Sequence, residues 1–364
     1  MAKPKVIAFY LPQYHPIKEN NEWFGEGFTE WTNVGNAKPL FKGHYQPRVP
    51  ADLGYYDLRL EEVREKQVTL AKEAGVYGFC YWHYWFGNGK RLLNRIWDEV
   101  IDSGKPDFPL CLGWANHSWF AKRWDNRKQD RLLVEQLYPG IEDYKNHFFL
   151  ALKAFNDNRY IKIKGKPVFI VFDALAVPKK FFEVWNNLAK ENGFPDGICF
   201  IGRILHNKDL DNAFQLGYEY VTVERVYGIF DNMSATKIRL FKLKNILLGR
   251  NKNCVDYKLA YKSFNDPTVD SDKRIIPMII PNWDHSPRSK GRNIILHNST
   301  PGLFAKHVRH VLNIIKKKNL EDQIIFLKSW NEWGEGNYME PDLKWGKEYI
   351  EVLNHSINNP EENE

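Results

Sequence analysis

Cysteine is scarce in this chain. Its 364 residues hold four, Cys80, Cys111, Cys199 and Cys254, with no paired spacing. Three of them lie inside apolar, strand-like runs, where a free thiol behaves as a small buried hydrophobe. A disulfide framework is therefore excluded, and a reducing, cytoplasmic compartment is the expectation. Long apolar runs are missing as well, and none approaches the length of a membrane span. The opening Met1-Ala2-Lys3-Pro4-Lys5 leads into only a few apolar residues before Pro12, too short for a signal-peptide core and without a small-residue cleavage site. The 11 histidines form no His-Glu-x-x-His, His-x-His or carboxylate cluster at metal spacing, so no metal site is expected. No glycine-rich phosphate loop runs from a strand into a helix, which removes the common kind of nucleotide-sugar donor site, and no cofactor is expected. Linkers, low-complexity tracts and short-period repeats are absent, so residues 1–364 are simplest as one domain.

What the chain does have is aromatic rings: 15% of residues, with 13 Trp, 18 Tyr and 23 Phe, in a composition that is otherwise globular. Core filling accounts for many of them. Others sit beside polar residues at the ends of apolar runs, where a flat ring can stack on a sugar face. Those runs recur as Val6–Leu11, Tyr77–Tyr84, Leu110–Asn116, Pro167–Asp173, Ile198–Leu205, Tyr220–Val226, Ile276–Asp284 and Ile324–Trp330. They are continuous rather than alternating, as strands covered on both faces of a parallel sheet must be. Helical patterns separate them. Leu60, Val63, Leu70, Ala71 and Ala74 form the stripe of the first, which stops at Gly75; Gly104 and Gly193 close the helices after strands two and four. Eight strands alternating with helices predict an α/β fold, a (β/α)8 TIM barrel with extended βα loops; a doubly wound sheet also accommodates the alternation.

In such a barrel the chemistry lies where the strands end. The eighth run gives way to Ser329-Trp330-Asn331-Glu332-Trp333-Gly334-Glu335-Gly336, in which two carboxylates stand three residues apart on a glycine-punctuated turn. Paired acids held at a strand end suit general acid/base work on an acetal, whereas an arbitrary Glu-x-x-Glu is more often a solvated loop. The other strand ends supply Tyr10, Gln13 and His15; Trp82, His83 and Tyr84; Trp114 and Asn116; Asp173; Glu224 and Tyr227; and Trp283 and Asp284. With Asn331 and Trp333 of the acidic turn, these are the residues expected to line an apolar-walled polar pocket for a polyhydroxylated ligand. Taken singly each is as readily structural: any one tryptophan is as apt to fill core as to meet sugar, and Asp173 could simply cap a loop. Arg123-Trp124-Asp125 follows the third strand, and Glu30 sits in a long early loop, either lining the cleft or anchoring that loop.

Several of these stretches resemble the WbsX-like family, whose members carry a glycoside hydrolase family 99-like domain. They are Tyr10-Leu11-Pro12-Gln13-Tyr14-His15-Pro16, Gly27-Phe28-Thr29-Glu30-Trp31-Thr32-Asn33-Val34, Gly43-His44-Tyr45-Gln46-Pro47, Gly78-Phe79-Cys80-Tyr81-Trp82-His83-Tyr84-Trp85-Phe86, Trp114-Ala115-Asn116 and Trp330-Asn331-Glu332-Trp333-Gly334-Glu335-Gly336. The resemblance runs over nearly the whole chain. It implies a (β/α)8 barrel related to retaining endo-mannosidases, with Glu332 and Glu335 on the family's Glu-Trp-x-Glu pattern. It also implies unequal roles. Glu332 would act as base on the sugar's own 2-hydroxyl, giving an epoxide-like intermediate, and Glu335 would protonate the leaving oxygen and then activate the acceptor. On that reading Glu335 is protonated at rest and Glu332 ionised, aided by donors such as Asn331. Two positions depart from relatives: His117 where an acid is usual, and His285 where an amide is usual.

Charge is unevenly placed. From Lys237 to Lys262 there are eight basic residues and one acid, Asp256, so this segment matches the formal +7 of the entire chain. The span 235–265 reads as a basic helical insertion between strands six and seven, either solvated or forming a face for an anionic membrane or a lipid-linked glycan. Nucleic acid is not expected, because no recognised fold or aromatic-interleaved basic strand accompanies the charge. Three function classes remain: an enzyme that cleaves or transfers a glycosidic bond in surface-polysaccharide metabolism, a polysaccharide glycosyltransferase using a lipid-linked or other donor, and a glycan-binding barrel without chemistry. The partner is an oligosaccharide or lipid-linked glycan in each. The expected place is the cytoplasm, either free or peripheral at the inner membrane face.

Overall fold

The computed structural model describes residues 3–121, 131–231, 233–319, 321 and 323–359. Eight of the apolar runs become the strands β1 (Lys5–Tyr10), β2 (Gly78–Trp85), β3 (Leu110–Trp114), β4 (Lys166–Val171), β5 (Cys199–Ile204), β6 (Tyr220–Val223), β7 (Met278–Ile279) and β8 (Ile324–Leu327). With no polar face to give to water, they are buried only as a parallel sheet covered on both sides. They pair in the order β6-β5-β4-β3-β2-β1-β8-β7. The sheet's two ends meet where Val221 bridges in parallel to Ile275. There the Ile276 amide donates to the Val221 carbonyl at 2.8 Å, and the Val221 amide to Arg274 at 2.9 Å. The result is the nearly closed eight-stranded barrel that the alternation of strands and helices predicts.

Helices α1 (Glu61–Glu73), α2 (Arg95–Ser103), α3 (Ile141–Phe155), α4 (Lys179–Glu191), α5 (Leu210–Leu216), α6 (Ala235–Leu247), α7 (Pro301–Ile315) and α8 (Glu348–Asn358) follow the strands in turn. In α1, Leu70 and Ala71 face the barrel and Gly75 at φ +76° ends the helix. Leu60, expected in that stripe, stands before the first turn and is largely exposed. Glycine is required at Gly113, where a Cβ would come within 2.8 Å of Cys80 Sγ and 2.9 Å of the Trp82 ring. Its absence lets Trp82 lie flat on Phe9, centroid to centroid 4.7 Å. All four cysteines are buried thiols.

Two elements differ from the sequence reading. The seventh strand, expected over Ile276–Asp284, pairs with β8 only at Met278 and Ile279. Pro277 and Pro281 flank that pair and have no N–H to give to a ladder. The insertion is not helical throughout. After α6 the chain forms a short strand, Cys254–Asp256, parallel to Ile295–His297. Among the described residues, no helix is long and apolar enough to cross a membrane. Arg123-Trp124-Asp125 lies outside the described residues.

Candidate active site

The acidic turn is built from the end of β8. Once that strand stops at Leu327, Asn331–Glu332 pair antiparallel with Asn337–Tyr338. A single 3-10 turn, Trp333–Glu335, joins the two halves and ends at Gly336, φ +58°. Its mounts are buried hydrogen bonds. Ser329 Oγ accepts from the Glu332 amide at 3.1 Å. The Asn331 side chain clasps the Leu11 backbone, accepting from its N–H at 2.7 Å and donating to its carbonyl at 3.0 Å. The Tyr14 hydroxyl donates to the Asn331 carbonyl and accepts from the Trp333 amide. Trp333 lies on Tyr338 at 3.7 Å and gives its indole N–H to Glu340. Behind the turn Asp284 donates its amide to the Glu335 carbonyl at 2.7 Å, while its carboxylate accepts from His44, Gln46 and the Ser286 amide. Burial works against that carboxylate's charge, yet the His44 bond and the nearby Arg48 bring its pKa down to about 2.

Both glutamates face one guanidinium. Arg288 Nη1 stands 2.5 Å from Glu335 Oε1 and 3.9 Å from Glu332 Oε1, while its Nε reaches Glu30 Oε1 at 2.8 Å. His285 Nε2 lies 3.6 Å from the same Glu335 oxygen. Burial, then the neighbouring Glu335 charge, push the Glu332 carboxyl up to about 8, against the pull of Arg288 and Lys328. Burial thus favours the proton on Glu332, the acid that the family resemblance implies is ionised, and the Asn331 side chain turns to the Leu11 backbone rather than to it. Deeper in, Glu224 is locked between Arg203 Nε at 2.5 Å and Lys328 Nζ at 2.8 Å. Despite burial these cations hold its carboxyl down at about 2. The site therefore combines a permanently charged carboxylate, a carboxyl neutral near neutrality, and an acid against a fixed cation.

These groups line a cleft of about 1270 Å³ over the C-terminal ends of the strands. Of the expected residues Gln13, Trp82, Tyr84, Glu224, Tyr227, Trp283, Glu332 and Glu335 line it, and Glu30 does too. Burial and the adjacent Glu332 raise the Tyr84 phenol, so it remains a neutral donor. Trp283 has its face 4.9 Å from Lys328 Nζ and meets Tyr227 in a T-shaped pair with centroids 5.4 Å apart.

The remaining expected residues do not line this cleft. Tyr10 turns outward to give its hydroxyl to Gln67 of α1 at 2.7 Å. His15 is buried away from it, and His83 meets His147 of α3 at 3.0 Å, where burial takes its pKa down to about 3. Trp114 packs against His147 and Phe181 and donates to the Trp85 carbonyl. Asn116 bonds to both backbone groups of Asp173, so this pair ties the end of β3 to the end of β4. Asp284, Asn331 and Trp333 are the mounts of the acidic turn described above. Tyr10, His83, Trp114 and Asn116 thus spend their polar groups on backbone or neighbouring side chains. Two cleft residues had no signal pointing to them. Lys328 directly follows an apolar run, and Arg288 follows the Ser286-Pro287 helix start; only the fold brings them onto the acids. His117, the departure from relatives, also lines the cleft.

The comparisons fit this geometry. The chain matches the glycosyltransferase WbsX family over residues 6–353. It is 31% identical over 361 residues to a protein of Xanthomonas campestris pv. campestris named WxcX, covering 97% of this chain and 49% of that one. The chain thus spans about half the length of the curated relatives it matches. Among solved structures, a glycoside hydrolase-like protein superposes with a TM-score of 0.62 at 16% identity, over 98% of this chain and 94% of the other. The GH99 endo-alpha-mannosidase of Bacteroides thetaiotaomicron does so with a TM-score of 0.58 at 13% identity, over 98% and 97%. This chain belongs to the WbsX glycosyltransferase family and is built on a barrel of the GH99 kind.

Proposed function

We propose that this carbohydrate-active enzyme cleaves or transfers a glycosidic bond through Glu332 and Glu335, in surface-polysaccharide metabolism. One observation carries the reading: two acids in a cleft of about 1270 Å³ share a cation, Arg288 Nη1 standing 2.5 Å from Glu335 and 3.9 Å from Glu332. Breaking an acetal needs a carboxylic acid for the leaving oxygen and a carboxylate to manage the developing positive charge. Burial and the neighbouring acid favour a resting proton on Glu332. For the roles carried by the family pattern, Glu332 takes the proton of the sugar's 2-hydroxyl and Glu335 protonates the leaving oxygen, with overall retention. In that order the proton resting on Glu332 passes to Glu335 before bond cleavage, which leaves Glu332 ionised to act as the base. Glu224 and its cations stay fixed and hydrogen-bond hydroxyls.

A second reading is transfer from a lipid-linked glycan rather than hydrolysis, with the chain in the cytoplasm at the inner membrane face. The exposed leucines and lysines of α6, next to the Tyr227 edge of the cleft, favour it. The test is product analysis on candidate oligosaccharides, with and without a sugar acceptor, reading the anomer formed first. Glu335→Gln should lower turnover by at least about a hundredfold, the contribution usual for a general acid, while ligand binding persists. Full activity in that variant sinks the proposal, and an inverted first product removes retention.

A further inference from the structure

The outward face of α6 is inverted relative to a solvated helix. Its inward positions are Ile238, Phe241, Lys242 and Asn245, and the Asn245 amide is spent on the Cys254 carbonyl at 2.8 Å. On the opposite side Leu240, Leu243 and Leu247 fall within one narrow stripe at helical spacing. They are 61%, 51% and 78% exposed. Ile246, Leu248 and, after the short strand, Leu259 are also exposed. A helix that only solubilised its barrel would put lysines there. Instead Lys237 and Lys244 border the stripe on one side and Arg239 on the other, all three exposed.

We infer that this face docks on an anionic lipid bilayer, the leucines entering the acyl boundary and the lysines and arginines meeting phosphate headgroups. Long basic side chains lie along apolar surface with their charged ends at the headgroups, so an apolar stripe with cationic borders fits such an interface. Charge complementarity selects the occupant. The segment Lys237–Lys262 carries one acid, Asp256, against eight basic residues. A second copy of the chain would bring the same excess against itself, and like charges oppose that pairing. A lipid surface supplies anions over the whole patch. The location fits a role. Phe241 packs on Phe230 at 5.4 Å, in the 3-10 turn that begins at Tyr227, a cleft residue. On the far side of the insertion, a Cβ at Gly291 would meet both Asn251 and Leu40, and Leu40 lines the cleft. Docking through α6 therefore brings the cleft's rim to the membrane, where a glycan held by a lipid phosphate is presented. This use rests on the glycan-acting reading above; the docking itself does not.

The test is co-sedimentation of the protein with vesicles of phosphatidylcholine alone and of phosphatidylcholine mixed with phosphatidylglycerol. The protein should pellet with the mixed vesicles, less so as salt rises, and not with phosphatidylcholine alone. Leu243→Glu/Leu247→Glu and Lys237→Gln/Arg239→Gln/Lys244→Gln/Lys252→Gln should each weaken binding roughly tenfold or more, since each basic residue near an anionic surface contributes measurably. These positions are exposed, and unchanged melting temperatures confirm that the variants fold. Glu335→Gln should pellet like the wild type, so loss of the catalytic reading and loss of the docking reading are told apart. Failure of the wild type to pellet, equal binding to both vesicles, or undiminished binding by either variant overturns the inference.

Discussion

A carboxyl group whose proton is favoured by burial destabilises the fold once pH removes that proton. Glu332 is such a group, raised from the ordinary glutamate range to about 8 by enclosure and by Glu335. The folded chain then binds its proton more tightly than the unfolded chain. Its stabilising contribution is complete below the unfolded value of about 4.3 and is lost as pH climbs through about 8, a loss on the order of a few kcal/mol. Glu332→Gln keeps the shape and has no proton to lose. The variant's melting temperature should therefore gain on the wild type steadily between about pH 5 and about pH 9. Glu340, pushed up to about 7 mainly by burial, titrates in both proteins and so largely cancels from the comparison. A difference in melting temperature that ignores pH would mean that Glu332 is not held neutral. At this scale the two acids were legible in the sequence, because paired carboxylates on a glycine-bounded turn are unusual after a buried strand. Arg288 was not. Its chemistry depends on where Pro287 turns the chain, with Arg288 lying 44 residues before Glu332 and 47 before Glu335. A lone arginine in a loop carries no local pattern.

The acidic turn depends on two glycines that do different work. A Cβ on Gly334 would fall 1.5 Å from Glu30 Oε1, the tip of a side chain that can move. A Cβ on Gly336 would fall 2.8 Å from Asp284 Cβ and 3.1 Å from its amide, in a backbone at φ +58°. Asp284 is fixed by His44, Gln46 and Ser286 and cannot yield. Gly336→Ala should therefore lower stability by about 1–3 kcal/mol in urea denaturation, whereas Gly334→Ala should cost about 1 kcal/mol or less. Gly334→Ala should instead act on the site, by pushing Glu30 from Arg288 and shifting the titration of Glu332. Equal stability losses at the two positions would contradict this division. The same reasoning explains which strand-end residues were misplaced from sequence. Period and apolarity give where a strand ends, but not which way its last polar residue turns. Asn116, Asn331 and Asp284 all stop at the barrel's rim and are drawn to unpaired backbone groups of the next strand or turn. A buried amide or carboxylate beside an open N–H must satisfy it, and that demand outweighs exposure to the cleft.

At the scale of the whole molecule, eight strands alternating with helices were readable because each strand is buried on both faces. The weakest seam was not. It runs from β6 through Ile275 to β7, where prolines interrupt the ladder and a single bridge and its neighbouring amides close the ring. Closure couples every strand to two others, so opening one seam exposes apolar surface along both adjoining strands. Insertion α6 is held differently, by Asn245, Phe241 and a few partly buried neighbours, with its leucine stripe in water. Local opening free energy follows buried apolar contact, so the barrel and the insertion should separate in hydrogen exchange. Amides of β1, β2, β3 and β8 should exchange only through global unfolding, with one shared dependence on denaturant. Amides of α6 should exchange through local opening, orders of magnitude faster and with little denaturant dependence. Adding vesicles that contain phosphatidylglycerol should slow α6 and leave the barrel unchanged, because a lipid surface binds the ordered helix and not the opened one. Exchange in α6 as slow as in β1 without lipid would place the insertion inside the barrel's cooperative unit. The leucine stripe would then be rigid before any membrane is met.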